Sequence, residues 1–365
     1  MPKILHIQVQ PKLAGAQQIS FDILSNLPED YDKHILFGEV ENNEEVVSKF
    51  SEVGVTVHFV EDLKRDIGIW DISALLSIFK LIRSNRFDIV HTNSSKPAII
   101  GRIAAFFAGV DKIIHTVHGI SFHDNSSFIK KNIFRIIDVN SAFFGTKTVL
   151  VNKFYSKYYR SDFFNTSTIY NGVDFKKLTV ADKSKDGITT IGFLGRMSKQ
   201  KDPMTFVNTA CHIIKSRDIR NVRFIMAGDG DLRNECMALV KALGIQDFFE
   251  FPGWIDDKSE FFNGIDILFQ PSLWEAFGLN LVEAGYFSIP CVASNVEGIP
   301  EVVLDNHTGI LSNPKNITNF SISLELLIFN QEKRFELGVN ARNHVKDNFS
   351  VGEMISKYIS LYEES

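Results

Sequence analysis

The sequence predicts an α/β protein of two domains, each with a doubly wound, mostly parallel sheet covered by helices. At 365 residues the chain is longer than one ordinary hydrophobic core supports. Apolar runs of strand length alternate with amphipathic runs of helix length in both halves of the chain. The alternation lapses at residues 173–187, a polar stretch ending in Asp-Gly that is typical of a linker.

The first half contains seven runs with the composition of strands. They are KILHIQV, YDKHILF, VTVHFV, FDIVHT, KIIHTV, KTVLVN and STIYNG. Helix-length segments such as DISALLSIFKLIRSN and KPAIIGRIAAFFAG lie between them. This strand–helix–strand order predicts a Rossmann-like domain over residues 1–172.

The alternation resumes after the linker and predicts a second Rossmann-like domain over residues 188–346. Its strand-like runs are ITTIGFLG, VRFIMAG, FFEFPG, IDILFQ and IPCVAS. The chain from about Asn316 has only helical patterns, and we expect residues 347–365 to form a helix able to cross back to the first domain. The two domains are expected to face each other across a ligand-binding cleft.

Composition and charge exclude several classes of protein. A net charge of -5 argues against a general nucleic-acid binder. Three scattered cysteines show no metal-ligand spacing and favour a reducing compartment. The apolar run from Ile4 to Val9 is too short for a signal peptide, and no window resembles a membrane span. The expected location is the cytoplasm.

The segment PSLWEAFGLNLVEAG is the strongest candidate site. Glu275 and Glu283 flank the turn Phe277-Gly278-Leu279, and the strand-like run IDILFQ comes just before them. This order predicts a strand, a sharp loop and the start of a helix. Ligands of doubly wound sheets bind at the carboxyl ends of the strands. Two acids can there bind two sugars, while the helix N-terminus faces a phosphate.

The segment GFLGRMSKQKDP indicates an anion site after the first strand of the second domain. Gly195 ends that strand, Arg196 and Lys201 follow in the loop, and Asp202-Pro203 starts a helix. An arginine can bind two phosphate oxygens at once and a lysine adds a point charge, which suits a diphosphate. The alternative is that both cations are simply solvated.

Two other motifs admit more than one interpretation. In AGDGDLR, Asp229 and Asp231 could bind a metal, but a helix N-cap is favoured. In HTVHGISF, His118 precedes a glycine at a strand end and is predicted to be functional, whereas His115 is more often expected to be structural.

The loops of the first domain offer weaker signals. Ser94, Ser95 and Lys96 supply hydroxyls and a cation near a helix start. Gly15 and Ala16 lie at the first strand-to-helix turn, which is not G-x-G-x-x-G. The dinucleotide fingerprint of a dehydrogenase is therefore absent from this turn.

The segment SSFIKKNIFRIIDVNSAFF combines three cations with isoleucine and phenylalanine. The cations are Lys130, Lys131 and Arg135. A helix of this composition can lie on an anionic membrane. The competing interpretation is an ordinary helix that covers the sheet.

These motifs, taken in order, resemble the retaining glycosyltransferases of family 4, which have the GT-B fold. The resemblance runs from Gly15 to the terminal helices. It rests on YNGVD, GFLGRMSKQKDP, AGDGDLR, the Glu-x7-Glu stretch PSLWEAFGLNLVEAG, and GIPEVV. The first loop departs from the pattern, because it has Ala-Gly-Ala-Gln-Gln where many relatives have two adjacent glycines and an acid.

The resemblance implies a role for each matching residue of the second domain. Arg196 and Lys201, in the loop after Gly195, would hold the donor diphosphate. Glu283 would bind the ribose hydroxyls, and Glu275 would contact the transferred sugar. The backbone N–H groups of Phe277, Gly278 and Leu279 would lie near the sugar and the phosphate.

In the first domain, the resemblance places His118 beside the reaction centre. Gly15 would let the first loop approach the phosphate closely. The catalytic residues are therefore predicted to be His118, Glu275, Arg196 and Lys201. The resemblance also implies that no metal or other cofactor is required, because cations and helix dipoles offset the charge of the leaving group. Asp229 and Asp231 are accordingly assigned to structure.

The implied activity is transfer of a sugar from a nucleotide diphosphate sugar with retention of configuration. The donor is expected to be a UDP-sugar, including the N-acetylhexosamines. The acceptor is expected to be a glycan or a polyprenyl-linked sugar in bacterial surface polysaccharide synthesis, with peripheral contact at the inner face of the membrane. Two alternatives remain, a UDP-sugar epimerase of the same fold and a catalytically silent nucleotide-binding partner.

Overall fold

The computed structural model describes residues 1–11, 15–38, 44–64, 66, 68–93, 95–122, 128–181 and 187–364. The chain divides into two compact units. Unit 1 comprises Met1–Gly172 together with Val351–Ser365, and unit 2 comprises Val173–Ser350. The predicted linker falls in unit 2, and residues 182–186 within it lie outside the described part.

Unit 1 is a parallel sheet with helices between its strands. Its strands are β1 (Lys3–Ile7), β2 (Asp32–Phe37), β3 (Thr56–Phe59), β4 (Ile89–Asn93), β5 (Lys112–Val117), β6 (Lys147–Leu150) and β7 (Thr166–Thr168). Its helices are α1 (Ala16–Asn26), α2 (Glu44–Glu52), α3 (Trp70–Asn85), α4 (Ser95–Ala108), α5 (Phe128–Asn140) and, from the C-terminal segment, α13 (Val351–Glu363). The strand order is β3-β2-β1-β4-β5-β6-β7.

The order of the strands reverses at β1, which pairs with β2 on one side and β4 on the other. Ile4 lies between Lys33 and Ile89 in this register. Successive residues of β1 supply opposite faces of the sheet, because Ile4 packs with α1 and α13 whereas Leu5 packs with α3 and α4. Both faces are thus buried, as parallel sheets require.

Unit 2 repeats this architecture with six strands among the described residues. Its strands are β8 (Thr189–Leu194), β9 (Val222–Ala227), β10 (Phe249–Gly253), β11 (Ile267–Gln270), β12 (Cys291–Ser294) and β13 (Gly309–Ser312). Its helices are α6 (Pro203–Cys211), α7 (Arg233–Ala242), α8 (Lys258–Asn263), α9 (Leu279–Tyr286), α10 (Ile299–Val302), α11 (Ile317–Phe329) and α12 (Gln331–Asn348). The order is β10-β9-β8-β11-β12-β13, and every pairing is parallel.

The predicted α/β class with two parallel sheets is confirmed. Each of the twelve runs proposed as strands overlaps an observed strand, and the chain after Asn316 is helical apart from short connections. One strand was missed: β13, a four-residue run that follows a turn. Within the described ranges, no helix combines the length and apolar character needed to span a membrane.

Candidate functional site

The strand order of unit 2 reverses at β8, and this is where the candidate site lies. Ile191 of β8 pairs with Phe224 of β9 on one side and with Ile267 of β11 on the other. The loops that leave the carboxyl ends of β8 and β11 therefore diverge over a crevice. Such switch points are the usual ligand sites of doubly wound sheets.

The loop after β8 carries Arg196 and Lys201, as predicted. The next helix, α6, begins at Pro203, and its N-cap Asp202 accepts a hydrogen bond from the Thr205 hydroxyl at 2.7 Å. Arg196 is exposed, and its guanidinium forms no hydrogen bond or ion pair with the described residues. A fixed loop thus presents a guanidinium that is available to an anion.

Backbone contacts hold this loop against the one after β9. Gly195 N donates to Ala227 O at 3.0 Å, and Met197 N donates to Asp229 O at 2.8 Å. A Cβ at Gly228, which has φ of 121°, would lie 2.1 Å from Gly195 O. Only glycine permits this approach of two backbones.

The loop after β11 is joined to the loop after β8 by hydrogen bonds. Leu273 N donates to Gln200 O at 2.8 Å, and Gln200 Nε2 donates to Trp274 O at 3.2 Å. On the other side, Gly298 N donates to Glu275 O at 3.1 Å. The segment that carries Glu275 is therefore positioned from both sides.

Lys201 and Glu275, predicted separately, form an ion pair. Lys201 Nζ contacts Glu275 Oε2, and the two side chains are 15% and 12% exposed. A charge-assisted pair at this depth is only partly screened by water. The contact places one cation and one carboxylate between the loops that follow β8 and β11.

The predicted turn at Phe277, Gly278 and Leu279 starts helix α9. The Phe277 ring is buried against Phe349, so this residue can offer a ligand only its backbone. Gly278 has φ of 87°, and α9 begins at Leu279 without a side-chain cap. The first amides of α9 have no acceptor within the helix, which leaves a partial positive charge suited to an anion.

Glu283, one turn into α9, is buried and pairs with Lys258. Lys258 Nζ lies 2.6 Å from Glu283 Oε1, whereas Glu283 Oε2 is buried and accepts no hydrogen bond from the described residues. Burial raises the pKa of Glu283, and the Lys258 ammonium opposes that rise. The carboxylate is held at Oε1, and its buried Oε2 has no hydrogen-bond donor among the described residues.

Two residues at this site were missed from the sequence. Lys258 is one, and Asn280 is the other, because its Nδ2 donates to Leu194 O at 2.7 Å and ties α9 to the end of β8. Neither residue forms a local motif with its partner. Lys258 is 25 residues from Glu283, and Asn280 is 86 residues from Leu194. The only signal for Lys258 was a cation following two aspartates after a strand.

The favoured N-cap interpretation of Asp229 and Asp231 was wrong. Helix α7 starts at Arg233, and its N-cap is Leu232 without a side-chain bond. Asp229 instead accepts from Gly230 N at 2.8 Å, within its own turn. No cluster of three or more histidine, cysteine or acidic side chains suited to a metal occurs in the described part of the chain.

In unit 1, His118 lies just beyond the carboxyl end of β5. Its Nε2 is 2.9 Å from Asn93 Oδ1 at the end of β4, and its Nδ1 is buried without a hydrogen bond to the residues that the structure describes. Burial lowers the pKa of His118 to about 4, so the imidazole is neutral at pH 7. An amide oxygen only accepts, so the hydrogen lies on Nε2 and Nδ1 remains an acceptor.

The remaining predicted positions of unit 1 differ in what they offer. Gly15 is the N-cap of α1 with φ of 57°. His115 is buried and bonded to Thr92, consistent with a structural role. Lys96 is engaged by Asp71 at 2.6 Å, so its ammonium is already paired. Ser94 lies outside the described residues, and the Ser95 side chain is not described.

Two family models match the chain, and together they span most of it. The model for glycosyl transferases group 1 matches residues 174–344, and the model for glycosyltransferase family 4 matches residues 15–177. The first match contains the whole candidate site of unit 2. The second contains His118 and begins at Gly15.

Two bacterial enzymes are similar in sequence. The Escherichia coli UDP-Gal:alpha-D-GlcNAc-diphosphoundecaprenol alpha-1,3-galactosyltransferase is 29% identical over 377 residues, covering 99% of this chain and 96% of its own. A Campylobacter jejuni alpha-1,4-N-acetyl-D-galactosaminyltransferase, which acts on a diNAcBac-PP-undecaprenol glycan, is 27% identical over 67% of both chains.

Two solved structures share the fold. Anabaena HepE in complex with UDP and glucose superposes with a TM-score of 0.83 at 18% identity, covering 99% of both chains. The lipopolysaccharide outer core galactosyltransferase WaaB superposes with a TM-score of 0.76 at 16% identity, again over 99% of both chains. The predicted GT-B fold is confirmed.

Proposed function

Because the chain belongs to the group 1 glycosyltransferases of the surface-polysaccharide type, we propose that its donor is a UDP-sugar. We also propose that transfer retains the anomeric configuration of the donor sugar. The proposed acceptor is a hydroxyl of a polyprenyl-diphosphate-linked glycan. Both relatives named above act on undecaprenol-linked sugars, and the first uses UDP-galactose. HepE was solved with UDP.

One observation carries the donor assignment: Arg196, Lys201 and Glu275 lie in the loops that follow β8 and β11, and Glu283 lies one turn into α9. Arg196 has no partner among the described residues and is the proposed ligand of the diphosphate, with Lys201 beside it. Glu283 presents an Oε2 without a donor in the described part of the chain, suited to the two O–H donors of a ribose diol. Glu275, held by Lys201, is the proposed contact of the transferred sugar.

The chemistry requires stabilisation of a departing diphosphate. As the bond from the anomeric carbon to the phosphate oxygen breaks, negative charge develops on that oxygen. Arg196, Lys201 and the first amides of α9 would stabilise this charge without a metal ion. We therefore propose that transfer does not depend on a divalent cation.

Retention is proposed to occur on one face of the sugar. The acceptor oxygen bonds to the anomeric carbon on the face that the diphosphate leaves, and the acceptor proton passes to a phosphate oxygen of the leaving group. Glu275 Oε2 is bound by Lys201, which favours a positioning role over attack on the sugar. The catalytic contribution is mainly electrostatic.

His118 is the proposed acceptor-side residue. Its Nδ1 is an acceptor with no donor among the described residues, and the neutral ring persists well below pH 7 because of its lowered pKa. An imidazole in this state can accept the hydrogen of a sugar hydroxyl.

Gly15 at the start of α1 leaves space beside its backbone, since an added Cβ would meet no described atom within 4 Å.

An exposed apolar face on α5 supports contact with the membrane that holds such acceptors. We call it the isoleucine face, and it comprises Ile129, Ile133, Ile136 and Ile137, which are 71%, 51%, 61% and 44% exposed. Two cations of the same unit, Arg135 and Lys157, lie over the ring of Tyr158. Exposed apolar side chains on a helix with cations nearby suit an anionic lipid surface.

The decisive experiment is a transfer assay with a synthetic polyprenyl-diphosphate-linked N-acetylglucosamine and a panel of UDP-, GDP- and ADP-sugars. We expect transfer from one UDP-sugar, unchanged by EDTA, with an α-linked product from an α-linked donor. Lys201→Ala should lower kcat/KM by about 100-fold, because it removes a charge that the transition state needs. Lys241→Ala, at an exposed lysine of α7, is the matched control.

Several results would contradict parts of this proposal. Full activity in Lys201→Ala would contradict the site, loss of activity in EDTA would contradict metal independence, and an inverted product would contradict retention. Acceptor-independent conversion of one UDP-sugar into another would instead favour the epimerase alternative. The two relatives in sequence named above are both transferases.

A further inference from the structure

Lys258 is placed beside the candidate donor site by the start of a short helix. It is the first residue of α8, and the preceding residue, Asp257, caps the helix by accepting from Ser259 N at 2.7 Å. The cap fixes the direction in which the lysine leaves the backbone. The Lys258 side chain is 42% exposed, and its ammonium reaches Glu283 at 2.6 Å.

The two oxygens of the Glu283 carboxylate have different surroundings. Oε1 accepts from Lys258, whereas Oε2 is buried and has no hydrogen-bond donor among the described residues. Glu283 as a whole is only 7% exposed. A buried acceptor without a donor is unfavourable, so Oε2 is the end of the carboxylate that a ligand can satisfy.

We propose that Lys258 is a positioning residue for the nucleotide donor, which fixes Glu283 through Oε1 and thereby presents Oε2 to the vicinal diol of a ribose. This inference rests on the proposed function, because it takes the ligand of Glu283 to be a nucleoside diphosphate. Each glutamate of the site then has its own lysine, Lys201 for Glu275 and Lys258 for Glu283.

The electrostatics of the pair agree with this role. Burial raises the pKa of Glu283, and Lys258 is the charged group that opposes the rise. On the neighbouring helix α12, Arg342 lies over the Tyr286 ring and His344 bonds to Glu301 O. On β12, the Cys291 thiol is neutral, because burial raises its pKa to about 12.

Loss of Lys258 therefore has a defined chemical consequence. The opposing charge disappears, and the Glu283 carboxyl takes up a proton at a higher pH than before. A protonated carboxyl has lost one acceptor site and accepts less strongly from the diol. Donor binding would become weaker, and more so at acidic pH.

The test is the binding of UDP to the full chain, measured by calorimetry at pH 7.5 and pH 6 without metal. We expect Lys258→Met to weaken UDP binding by about tenfold at pH 6 and by less at pH 7.5, since a charge-assisted hydrogen bond is lost. Lys258→Arg should restore binding, and Lys241→Met should match the wild type. In turnover, Lys258→Met should raise the donor KM and leave kcat unchanged.

A double variant separates this role from a general effect of charge. If Lys258 acts through Glu283, the variant Lys258→Met with Glu283→Gln should bind UDP no more weakly than Glu283→Gln alone. If the double variant binds UDP more weakly than Glu283→Gln alone, or if Lys258→Met binds UDP as tightly as the wild type, the inference about Lys258 is overturned. The proposed donor site is not affected by either result. Failure of the wild type to bind UDP would overturn the proposed donor itself.

Discussion

At the scale of single residues, Gly278 sets the geometry of the turn between Glu275 and helix α9. Its φ of 87° lies in the left-handed region, and an added Cβ would lie 2.8 Å from Leu281 Cδ1. We expect Gly278→Ala to lower the free energy of unfolding by about 1–3 kcal/mol because of backbone strain and this clash. Thermal or urea unfolding measures the change.

The control for this prediction is a glycine in a helix with open space around it. An added Cβ at Gly352 in α13 would meet no described atom within 4 Å, so Gly352→Ala should leave stability unchanged or raise it by about 1 kcal/mol. Equal stability of Gly278→Ala and the wild type would show that the turn tolerates a side chain.

Much of the candidate site could be predicted at this scale, because its residues are adjacent to strand ends. Arg196 lies two residues after the end of β8, and Glu275 and Glu283 flank the turn after β11. What could not be predicted depends on packing between distant segments. The Lys258–Glu283 pair joins α8 to α9, and no periodicity or motif specifies which lysine reaches that carboxylate.

At the scale of elements, strands were easier to locate than their ends or the turns between them. The buried parallel strands are continuous apolar runs, which is why they were recognised. Strand β13 is only four residues long, too short for its pattern to stand out. Helix α6 ends at Cys211 and is followed by a π-helical turn at His212–Ser216, although the helical pattern of DPMTFVNTACHIIKSR runs on to Arg217.

Helix α13 is held to unit 1 by buried polar side chains as well as by apolar packing. Tyr362 Oη lies 2.6 Å from His91 Nδ1 and 3.2 Å from His6 Nε2, and Tyr358 Oη lies 2.9 Å from Thr116 Oγ1. Burial lowers the pKa of His6 to about 3 and that of His91 well below its usual value. Both imidazoles are neutral in the folded protein.

This network predicts acid sensitivity. Between about pH 6.5 and the lowered folded pKa, the unfolded chain binds more protons than the folded one, so stability falls as pH falls. For His6 the loss at pH 5 is about 2 kcal/mol. The midpoint of thermal unfolding should therefore fall from pH 7 to pH 5, and less steeply in His6→Phe, which removes one titrating group.

The matched control is a histidine of unit 2 that is exposed. His307→Gln should leave the pH dependence of the midpoint as it is in the wild type. If His6→Phe and the wild type lose stability in parallel, the histidine network is not the source of the acid sensitivity.

At the scale of the whole molecule, the net charge of -5 does not describe the local surface of unit 1. The sequence of α5 admitted two interpretations, an ordinary helix that covers the sheet, which was favoured, and a helix that lies on an anionic membrane. The exposed isoleucines show that this side of α5 does not cover the sheet of unit 1. Composition alone could not decide this, because amphipathic helices can turn either side outward.

We expect the full chain to sediment with vesicles that contain anionic phospholipid and to remain in solution with neutral vesicles. Ile136→Glu should reduce the bound fraction by about fivefold or more, because it places a negative charge on the isoleucine face. Ile322→Glu, at an exposed isoleucine of α11 in unit 2, is the matched control. Equal binding of all three proteins would contradict a docking role for α5.

The central claim is that the loops after β8 and β11 bind the donor nucleotide, and the most direct measurement is a crystal structure with bound UDP. We predict that the diphosphate lies within hydrogen-bond distance of Arg196 and Lys201, and that the ribose hydroxyls donate to Glu283 Oε2. UDP bound elsewhere, or bound at these loops without contact to those three side chains, would contradict the account.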